Sequence, residues 1–237
     1  MSEAFIFIPP RGSDVLIIAD HASAHVPADI ELGIDPALLR QHIAIDIGVA
    51  EVAQLLCERT DCGAMLAGVS RLVIDLNREE DAAGLIPVIS DGHDIHGNVD
   101  VDRQRRLSRF YYPYHAAVQA ALDVLSTPFI LSLHSFTPSL SSRDEGRPWH
   151  VGVLYNQDDR AARIAIPMLE AAGLNVGDQL PYSGAILNAT MNRHAEARGI
   201  PYLGVEMRQD LVSSSEGQSR FAAVLEPVIE ACRNALA

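Results

Sequence analysis

The chain has 237 residues, of which 48% are hydrophobic and 21% charged, a balance typical of one well-covered domain. Its formal net charge of −13 argues against binding to nucleic acid, and we find no basic stripe with interleaved aromatic residues. Every one of the 18 basic residues is an arginine, which excludes Schiff-base lysines, lysine nucleophiles and a phosphate-binding P-loop.

We expect the protein to be cytoplasmic and not to contact membranes. No apolar run approaches the roughly 20 residues that cross a bilayer. The first residues carry an acid where a signal peptide has basic residues, and the apolar stretch Phe5–Ile8 is too short for one. The three cysteines, Cys57, Cys62 and Cys232, are odd in number and lack zinc-ribbon spacing, which fits reduced thiols.

Two apolar stretches each lead into a histidine. VLIIADHAS, residues 15–23, predicts a buried strand followed by His21, and FILSLHSF, residues 129–136, predicts another that ends near His134. The carboxyl ends of parallel strands form the ligand-binding edge of open α/β sheets. Two imidazoles at that edge suggest a zinc site, although hydrogen-bonded structural histidines would give the same pattern.

Two helices are predicted between these strands. The first starts at Asp35 and Pro36 and continues through ALLRQHIA. The second begins near Asp46, because an apolar stripe follows at helical spacing. That stripe consists of Val49, Val52, Ala53 and Leu56. An acid at this position either caps the helix or provides a ligand, and the sequence leaves both roles open.

Short strands are predicted at residues 64–66 and 72–74. The motif SRLVIDLNR, residues 70–78, places Arg71 and Arg78 on either side of the second strand. The planar guanidinium binds carboxylate or phosphate with two parallel hydrogen bonds, so both arginines are candidate anion-binding residues. Ordinary salt bridges to the abundant acids are the alternative.

Residues 84–102 are rich in Gly, Asp, His and Asn, which predicts a long irregular loop over the site. We treat His93 and His96 as candidate substrate-contacting or lid residues, because a mobile loop is a poor platform for a metal. The pattern of residues 103–125 predicts a helix that is kinked or split at Pro113.

The rest of the chain alternates strands and helices. Strands are expected at residues 151–155 and 202–207, helices at 159–172 and 190–198, and a terminal helix after a capping box at 213–216. Glu206 lies near the end of an apolar strand, where an acid is costly unless it is paired or functional. The alternation predicts an α/β three-layer sandwich: a mainly parallel or mixed central sheet with helices on both faces.

A metal-activated water is the most economical nucleophile for this chain. GVSRL around Ser70 lacks the last glycine of a nucleophile elbow, and no Rossmann fingerprint is present. A catalytic zinc typically takes three protein ligands, which His21, His134 and one carboxylate would supply. Glu206 is the best-placed general base. Three arginines would favour an anionic substrate: Arg71, Arg78 and Arg208.

Several motifs together resemble the N-formylglutamate amidohydrolase family. They are DHAS (20–23), HIAIDIG (42–48), SRLVIDLNR (70–78), HSF (134–136), PYSG (181–184) and VEMRQDL (205–211). The resemblance covers nearly the whole chain in the right order. It implies a single domain over residues 1–237, with a fold similar to the zinc carboxypeptidases. It also implies hydrolysis of N-formyl-L-glutamate to formate and L-glutamate in histidine breakdown.

The resemblance also implies roles for individual residues. His21 and His134 match the outer histidines of the carboxypeptidase-like zinc pattern, and Glu206 matches its catalytic glutamate. Asn77 with Arg78 is similar to the pair that binds a substrate carboxylate there, and Arg71 to the arginine that stabilises the oxyanion. Two further substrate-binding candidates are Arg208, for a second carboxylate, and Ser183 of the PYSG motif.

One position departs from the carboxypeptidase pattern. Ala24 stands where that pattern has a glutamate ligand, so the third ligand must come from elsewhere. Asp46 is our choice, because its Asp-x-Gly setting recurs in the formylglutamate family, and Asp20 is the reserve. The expected cofactor is one zinc ion per chain, with another divalent metal as the alternative.

Two other functions are compatible with the sequence. One is a metallohydrolase that acts on another N-acyl amino acid or on a short peptide. The other is a non-catalytic protein that binds an anionic metabolite through its arginines, with structural histidines. The sequence does not indicate the oligomeric state.

Overall fold

A computed structural model describes residues 3–140 and 146–236. The strands are β1 (Phe5–Ile8), β2 (Val15–Ala19), β3 (Gly63–Ala67), β4 (Ile89–Ser90), β5 (His93–Asp94), β6 (Phe129–Phe136), β7 (Val151–Leu154), β8 (Val176–Asp178) and β9 (Tyr202–Arg208). The α-helices are α1 (Val49–Thr60), α2 (Arg103–Arg106), α3 (Tyr112–Asp123), α4 (Arg160–Ala171), α5 (Ala189–His194) and α6 (Ser215–Leu236).

Seven strands form a mixed sheet in the order β1-β3-β2-β6-β9-β7-β8. The four central strands, β3, β2, β6 and β9, are mutually parallel. The pairs β1–β3 and β7–β9 are antiparallel, and the edge strand β8 is parallel to β7. Consequently the carboxyl ends of β2, β6 and β9 lie side by side at one edge. This arrangement confirms the predicted α/β class with a mixed central sheet.

Helices cover both faces of the sheet. Successive side chains of a strand point to opposite faces. In β2, Val15 and Ile17 belong to the apolar cluster that includes α1, α4 and α6, while Leu16 and Ile18 belong to the cluster that includes α3. Because both faces are covered, the central strands are apolar throughout, as in other buried parallel sheets. None of the described helices combines the length and apolarity needed to cross a bilayer.

A third apolar cluster lies above the sheet edge. It joins Leu32, Ile43, Ala44, Leu72 and Ile95, which belong to four separate loop segments. Packing these loops together fixes the segments that carry Asp46 and Arg71 over the ends of β2 and β6. The loops therefore have a core of their own.

Several expected elements differ in the structure. Residues 72–74 form a turn rather than a strand, because Ser70 accepts a bond from the Val73 amide and its hydroxyl accepts one from Leu72. The helix expected after Asp35 is a 3₁₀ helix of only five residues, Pro36–Arg40. The edge strands β1 and β8 were not predicted, since they are short and carry weak patterns.

Three further details of the structure differ from the expectations. The split expected at Pro113 occurs just before it, as a π-helical segment at Leu107–Tyr111, because proline has no N–H to continue the α-helical ladder. The hydroxyl of Ser214, not Ser213, accepts from the first turn of α6. Residues 84–102 contain a 3₁₀ turn at Ala83–Leu85, the β4–β5 hairpin and another 3₁₀ turn at His96–Asn98.

Two buried histidines connect α3 and α5. His115 Nδ1 and His194 Nε2 are 2.9 Å apart, and His115 Nε2 lies 3.1 Å from the carbonyl oxygen of Leu76. The carbonyl accepts, so Nε2 of His115 carries the hydrogen and its Nδ1 accepts from His194. Burial lowers the pKa of His194 to about 4 and holds that of His115 well below its ordinary value.

We predict that this pair makes the fold sensitive to mild acid. Unfolded histidines titrate near pH 6.5, so below that pH the unfolded state binds more protons than the folded state. The free energy of unfolding should therefore fall by roughly 3 kcal/mol between about pH 6.5 and pH 4 through His194 alone, and His115 should add to this loss. Urea unfolding at a series of pH values measures this slope.

The matched variants are His194→Asn, which removes one titrating group, and His25→Asn, which changes an exposed histidine. We expect His194→Asn to flatten the pH slope and His25→Asn to leave it unchanged. Equal slopes in wild type and His194→Asn would show that the buried pair does not cause the acid sensitivity.

Candidate active site

Three side chains converge at the sheet edge. His21 follows β2, His134 lies in β6, and Asp46 precedes α1. Asp46 Oδ2 lies 2.9 Å from His134 Nδ1 and 3.3 Å from His21 Nδ1. One potential ligand atom from each residue falls within 4.8 Å of the others, and all three residues are buried. Of the two aspartates considered as third ligand, the structure brings Asp46 to the histidines.

The backbone explains how Asp46 reaches this position. Its amide donates to the carbonyl oxygen of His21, which ties the loop to the end of β2. The N-cap of α1 is Gly48, not Asp46, and Gly48 has φ of 81°. A side chain at Gly48 would also collide with the Val212 carbonyl, 2.2 Å from an added Cβ. Since Gly48 starts the helix, the Asp46 carboxylate is not used as a cap.

A second layer of carboxylates lies behind the histidines. Asp75 Oδ1 is 2.7 Å from His21 Nε2, and it also accepts from the Asn77 amide. Asp20 Oδ2 lies 3.9 Å from His134 Nε2, while its other oxygen accepts from Tyr114. Carboxylates on the far nitrogen of a metal-bound histidine fix its tautomer and orientation. The two aspartates therefore lie on opposite sides of the His134 ring: Asp46 contacts Nδ1, and Asp20 faces Nε2.

The electrostatics of this cluster favour a cation. Burial opposes protonation of His21, and so does Arg71, but Asp75 and Asp46 raise the pKa of His21 to about 9. Burial opposes ionisation of Asp46 and Asp75, but His21 and Arg71 outweigh it and hold the pKa of both carboxyl groups well below the usual range. Two anionic carboxylates thus bracket one imidazole, which binds a metal only after losing its proton.

The donor atoms fit a divalent metal. Two imidazole nitrogens and one carboxylate oxygen are a typical catalytic zinc set, with a fourth position open. Among the described residues, the buried atoms without a hydrogen-bond partner include Asp20 Oδ2, His134 Nε2 and Glu206 Oε2, all around this cluster. Buried polar atoms are rarely left unpaired. Asp20 Oδ2 and His134 Nε2 face each other at 3.9 Å on the side of His134 away from Asp46, so the unpaired atom that borders the cavity is Glu206 Oε2.

Glu206 lies beside the cluster on the neighbouring strand. In the parallel pairing of β6 and β9, Glu206 is the register partner of His134. Burial raises the pKa of Glu206 to about 7; His134 opposes this rise and Asp46 adds to it. A carboxyl group poised near neutrality, with one oxygen unpaired, has the properties of a general base.

The cluster forms one wall of a cavity of about 770 Å³. Arg71 lines it and donates to Asp46 Oδ1 at 3.3 Å and to Asp75 Oδ2 at 2.9 Å. Arg78 and Asn77 line it too; Arg78 Nε is 3.7 Å from Asp75, and Asn77 accepts from the Thr190 amide. The three candidates of the SRLVIDLNR motif thus all border the cavity.

Two predicted substrate-binding residues do not line the cavity. Arg208 forms an ion pair with Asp210 at 2.8 Å and donates to the carbonyl oxygens of Pro148 and Trp149. The hydroxyl of Ser183 accepts from the Ala185 amide in a local turn. The structure therefore does not place these two candidates among the residues that border the cavity.

The sequence missed several residues that line the cavity. Asp75 sits inside the SRLVIDLNR motif, and its place next to two arginines was an available signal. Arg147 and Tyr182 lie on loops, and no sequence pattern placed them together. Tyr182 belongs to the PYSG motif, next to the predicted candidate Ser183. His42 and Asp91 form a further pair at the rim, 3.0 Å apart.

The segment 84–102 borders the cavity as expected, but through different residues. Gly84, Pro87, Ile89, Ser90 and Asp91 line the cavity, whereas His93 and His96 do not. The segment is held by Asn98, which donates to the carbonyl oxygens of Leu72 and Pro87. The buried side chain of Asn98 thus fixes the position of this wall of the cavity.

Comparison with known proteins agrees with this geometry. The family model described as N-formylglutamate amidohydrolase matches residues 13–213. A crystal structure of an Agrobacterium tumefaciens gene product superimposes with a TM-score of 0.92 at 30% identity, over 98% of this chain and 95% of that one.

The N-formylglutamate amidohydrolase of Ralstonia eutropha JMP134 gives a TM-score of 0.75 at 18% identity, over 99% of this chain and 98% of that one. A comparison with curated proteins finds no match. The matched span takes in the strands, helices and loops that carry the cluster. On this evidence the chain belongs to the N-formylglutamate amidohydrolase family.

Proposed function

We propose that this chain is a zinc-dependent amidohydrolase that cleaves the formyl amide of N-formyl-L-glutamate, releasing formate and L-glutamate. The family supports amide hydrolysis. The observation that carries the proposal is the convergence of two Nδ1 atoms and one carboxylate oxygen beside Glu206, in a cavity bordered by arginines. An anionic N-acyl amino acid suits such a cavity.

In this proposal His21, Asp46 and His134 hold the metal. When bound, a zinc ion would polarise the formyl carbonyl and lower the pKa of a water molecule. Asp75 holds His21 through its far nitrogen, and Asp20 faces the far nitrogen of His134. These outer carboxylates would keep both Nδ1 atoms directed at the metal.

Glu206 moves the proton. Its unpaired Oε2 accepts the proton that the attacking water loses as its oxygen bonds to the formyl carbon. Glu206 then returns this proton to the amide nitrogen as the carbon–nitrogen bond breaks, so formic acid and an amine leave. The acid gives up its remaining proton to the more basic amine, which yields formate and the ammonium form of L-glutamate. The raised pKa of about 7 suits a group that must both accept and release a proton near neutral pH.

The arginines orient the substrate and stabilise charge. Asp46 and Asp75 hold the Arg71 guanidinium at the cavity wall, where it would stabilise the negative charge that develops on the formyl oxygen. Arg78, about one third exposed, would bind the α-carboxylate together with Asn77. Positioning by such contacts accounts for a large share of enzymatic rate enhancement.

The proposal includes a cytoplasmic location, a single domain over the whole chain and a role in histidine breakdown. The three free, buried cysteines fit a reducing compartment. One continuous seven-stranded sheet supports the single domain.

The first prediction concerns metal and activity together. Protein purified without chelator should contain about one zinc per chain and release formate from N-formyl-L-glutamate. His134→Ala should lose most of the zinc and reduce activity by on the order of 10²–10³, because one of three ligands is gone. Elemental analysis and a formate assay measure both quantities.

His25→Ala, which changes an exposed histidine, is the matched control and should keep both zinc and activity. Bound zinc without formate release would redirect the assignment to another acyl substrate. Absence of both metal and activity would favour an anion-binding protein over an enzyme.

A second prediction isolates the base. Glu206→Gln keeps the size of the side chain but removes its ability to accept a proton. We expect unchanged zinc content and a loss of kcat of roughly 10²–10⁴. The exposed Glu216→Gln serves as the control. Activity of Glu206→Gln within a few-fold of wild type would assign the base to another residue.

A further inference from the structure

The arginines that line the cavity differ in how their charge is balanced. Arg71 has two carboxylate partners, Asp46 and Asp75. Arg78 also pairs with Asp75, with 3.7 Å between Arg78 Nε and Asp75 Oδ2. A little over a third of the Arg78 side chain is exposed, so water screens its charge. Both of these cations are therefore connected to the carboxylates around the histidine cluster.

Arg147 is different. It lines the cavity, is only 9% exposed, and donates through Nη1 to the Tyr182 hydroxyl at 2.9 Å and to the Thr137 carbonyl at 3.3 Å. Its guanidinium lies over the Tyr182 ring, 4.9 Å from the centroid. Among residues 3–140 and 146–236, no carboxylate forms an ion pair with it, and no hydrogen bond uses its Nε or Nη2.

A buried guanidinium without a carboxylate partner, such as that of Arg147, favours binding of an anionic ligand. Burying a charge without a counter-charge costs several kcal/mol. A guanidinium is also suited to a carboxylate, because two of its N–H groups can donate in parallel. Arg147 already uses Nη1 for the protein, so Nε and Nη2 provide the fork for a ligand.

Tyr182 completes the subsite. Its hydroxyl oxygen accepts from Arg147, which leaves the hydroxyl hydrogen free to donate, and no bond within the described parts of the chain uses that hydrogen. Arg147 Nε, Arg147 Nη2 and the Tyr182 hydroxyl thus offer three donor groups. That donor set matches a carboxylate and discriminates against a carboxamide, which would point its own N–H groups at donors.

We propose that Arg147 and Tyr182 bind the side-chain carboxylate of the substrate and set the preference for an acidic N-formyl amino acid. This inference rests on the proposed function and assigns to Arg147 the role that the sequence suggested for Arg208. Arg78 is joined through Asp75 to His21, so it suits the α-carboxylate, which is adjacent to the scissile amide. Arg147 has no such link and suits the more distant carboxylate.

The test compares N-formyl-L-glutamate with N-formyl-L-glutamine, which has the same shape but a neutral carboxamide. Binding is measured by titration calorimetry in the Glu206→Gln background, so that turnover does not interfere. We expect this parent protein to bind the glutamate ligand on the order of 100-fold more tightly, since a subsite with unpaired polar donors rejects a mismatched ligand strongly. Arg147→Gln should abolish most of that preference.

Further variants keep the test decisive. Arg147→Lys retains the charge but not the fork, and should keep part of the preference even if Arg147→Gln fails to fold. Tyr182→Phe removes one donor and should reduce the preference by roughly 3–10-fold. Arg220→Gln changes an exposed arginine of α6 and is the matched control.

Three results would overturn the inference: no tighter binding of the glutamate ligand by the parent, a preference that survives in all Arg147 and Tyr182 variants, or a preference lost in Arg208→Gln instead. Formate release by the wild type, assayed in parallel, tests the reaction separately. A preserved binding preference without formate release would reject the proposed reaction and retain the carboxylate subsite.

Discussion

The site depends on one buried carboxylate, that of Asp46. Its Oδ2 contacts His21 and His134 and accepts weakly from the Ser135 amide at 3.4 Å, while Oδ1 accepts from Arg71. Burial of an isolated carboxylate costs several kcal/mol. Here four surrounding donors offset this cost. His21, His134 and Arg71 keep the pKa of Asp46 well below its usual range, despite burial. Because strand β2, strand β6 and the Arg71 turn meet at this carboxylate, it organises all three.

The part of this arrangement that follows local rules was predictable from the sequence. Apolar runs gave β2, β6 and β9 with their polar end residues, and parallel pairing brings those ends together. Asp46 remained ambiguous, since an acid at a helix start is equally a cap or a ligand. Gly48 excludes the role of cap, because its left-handed backbone starts α1 without a side-chain cap.

The residues that surround the cavity were harder to predict because tertiary contacts place them. Arg208 follows Glu206 by two residues, a spacing that would direct both side chains to one face of a strand. Instead Asp210 and the Pro148 and Trp149 carbonyls hold its guanidinium away from the cavity. Arg147 reaches the cavity from a loop through its bonds to Thr137 and Tyr182, residues far apart in sequence. No periodic pattern encodes such a contact.

The most direct test of this account is anomalous diffraction at the zinc edge from crystals of the zinc-loaded protein. The account predicts one strong peak per chain, about 2.0–2.2 Å from His21 Nδ1, His134 Nδ1 and an Asp46 carboxylate oxygen. A peak coordinated by Asp20 and His134 Nε2, or located outside the cavity, would contradict the central role of Asp46.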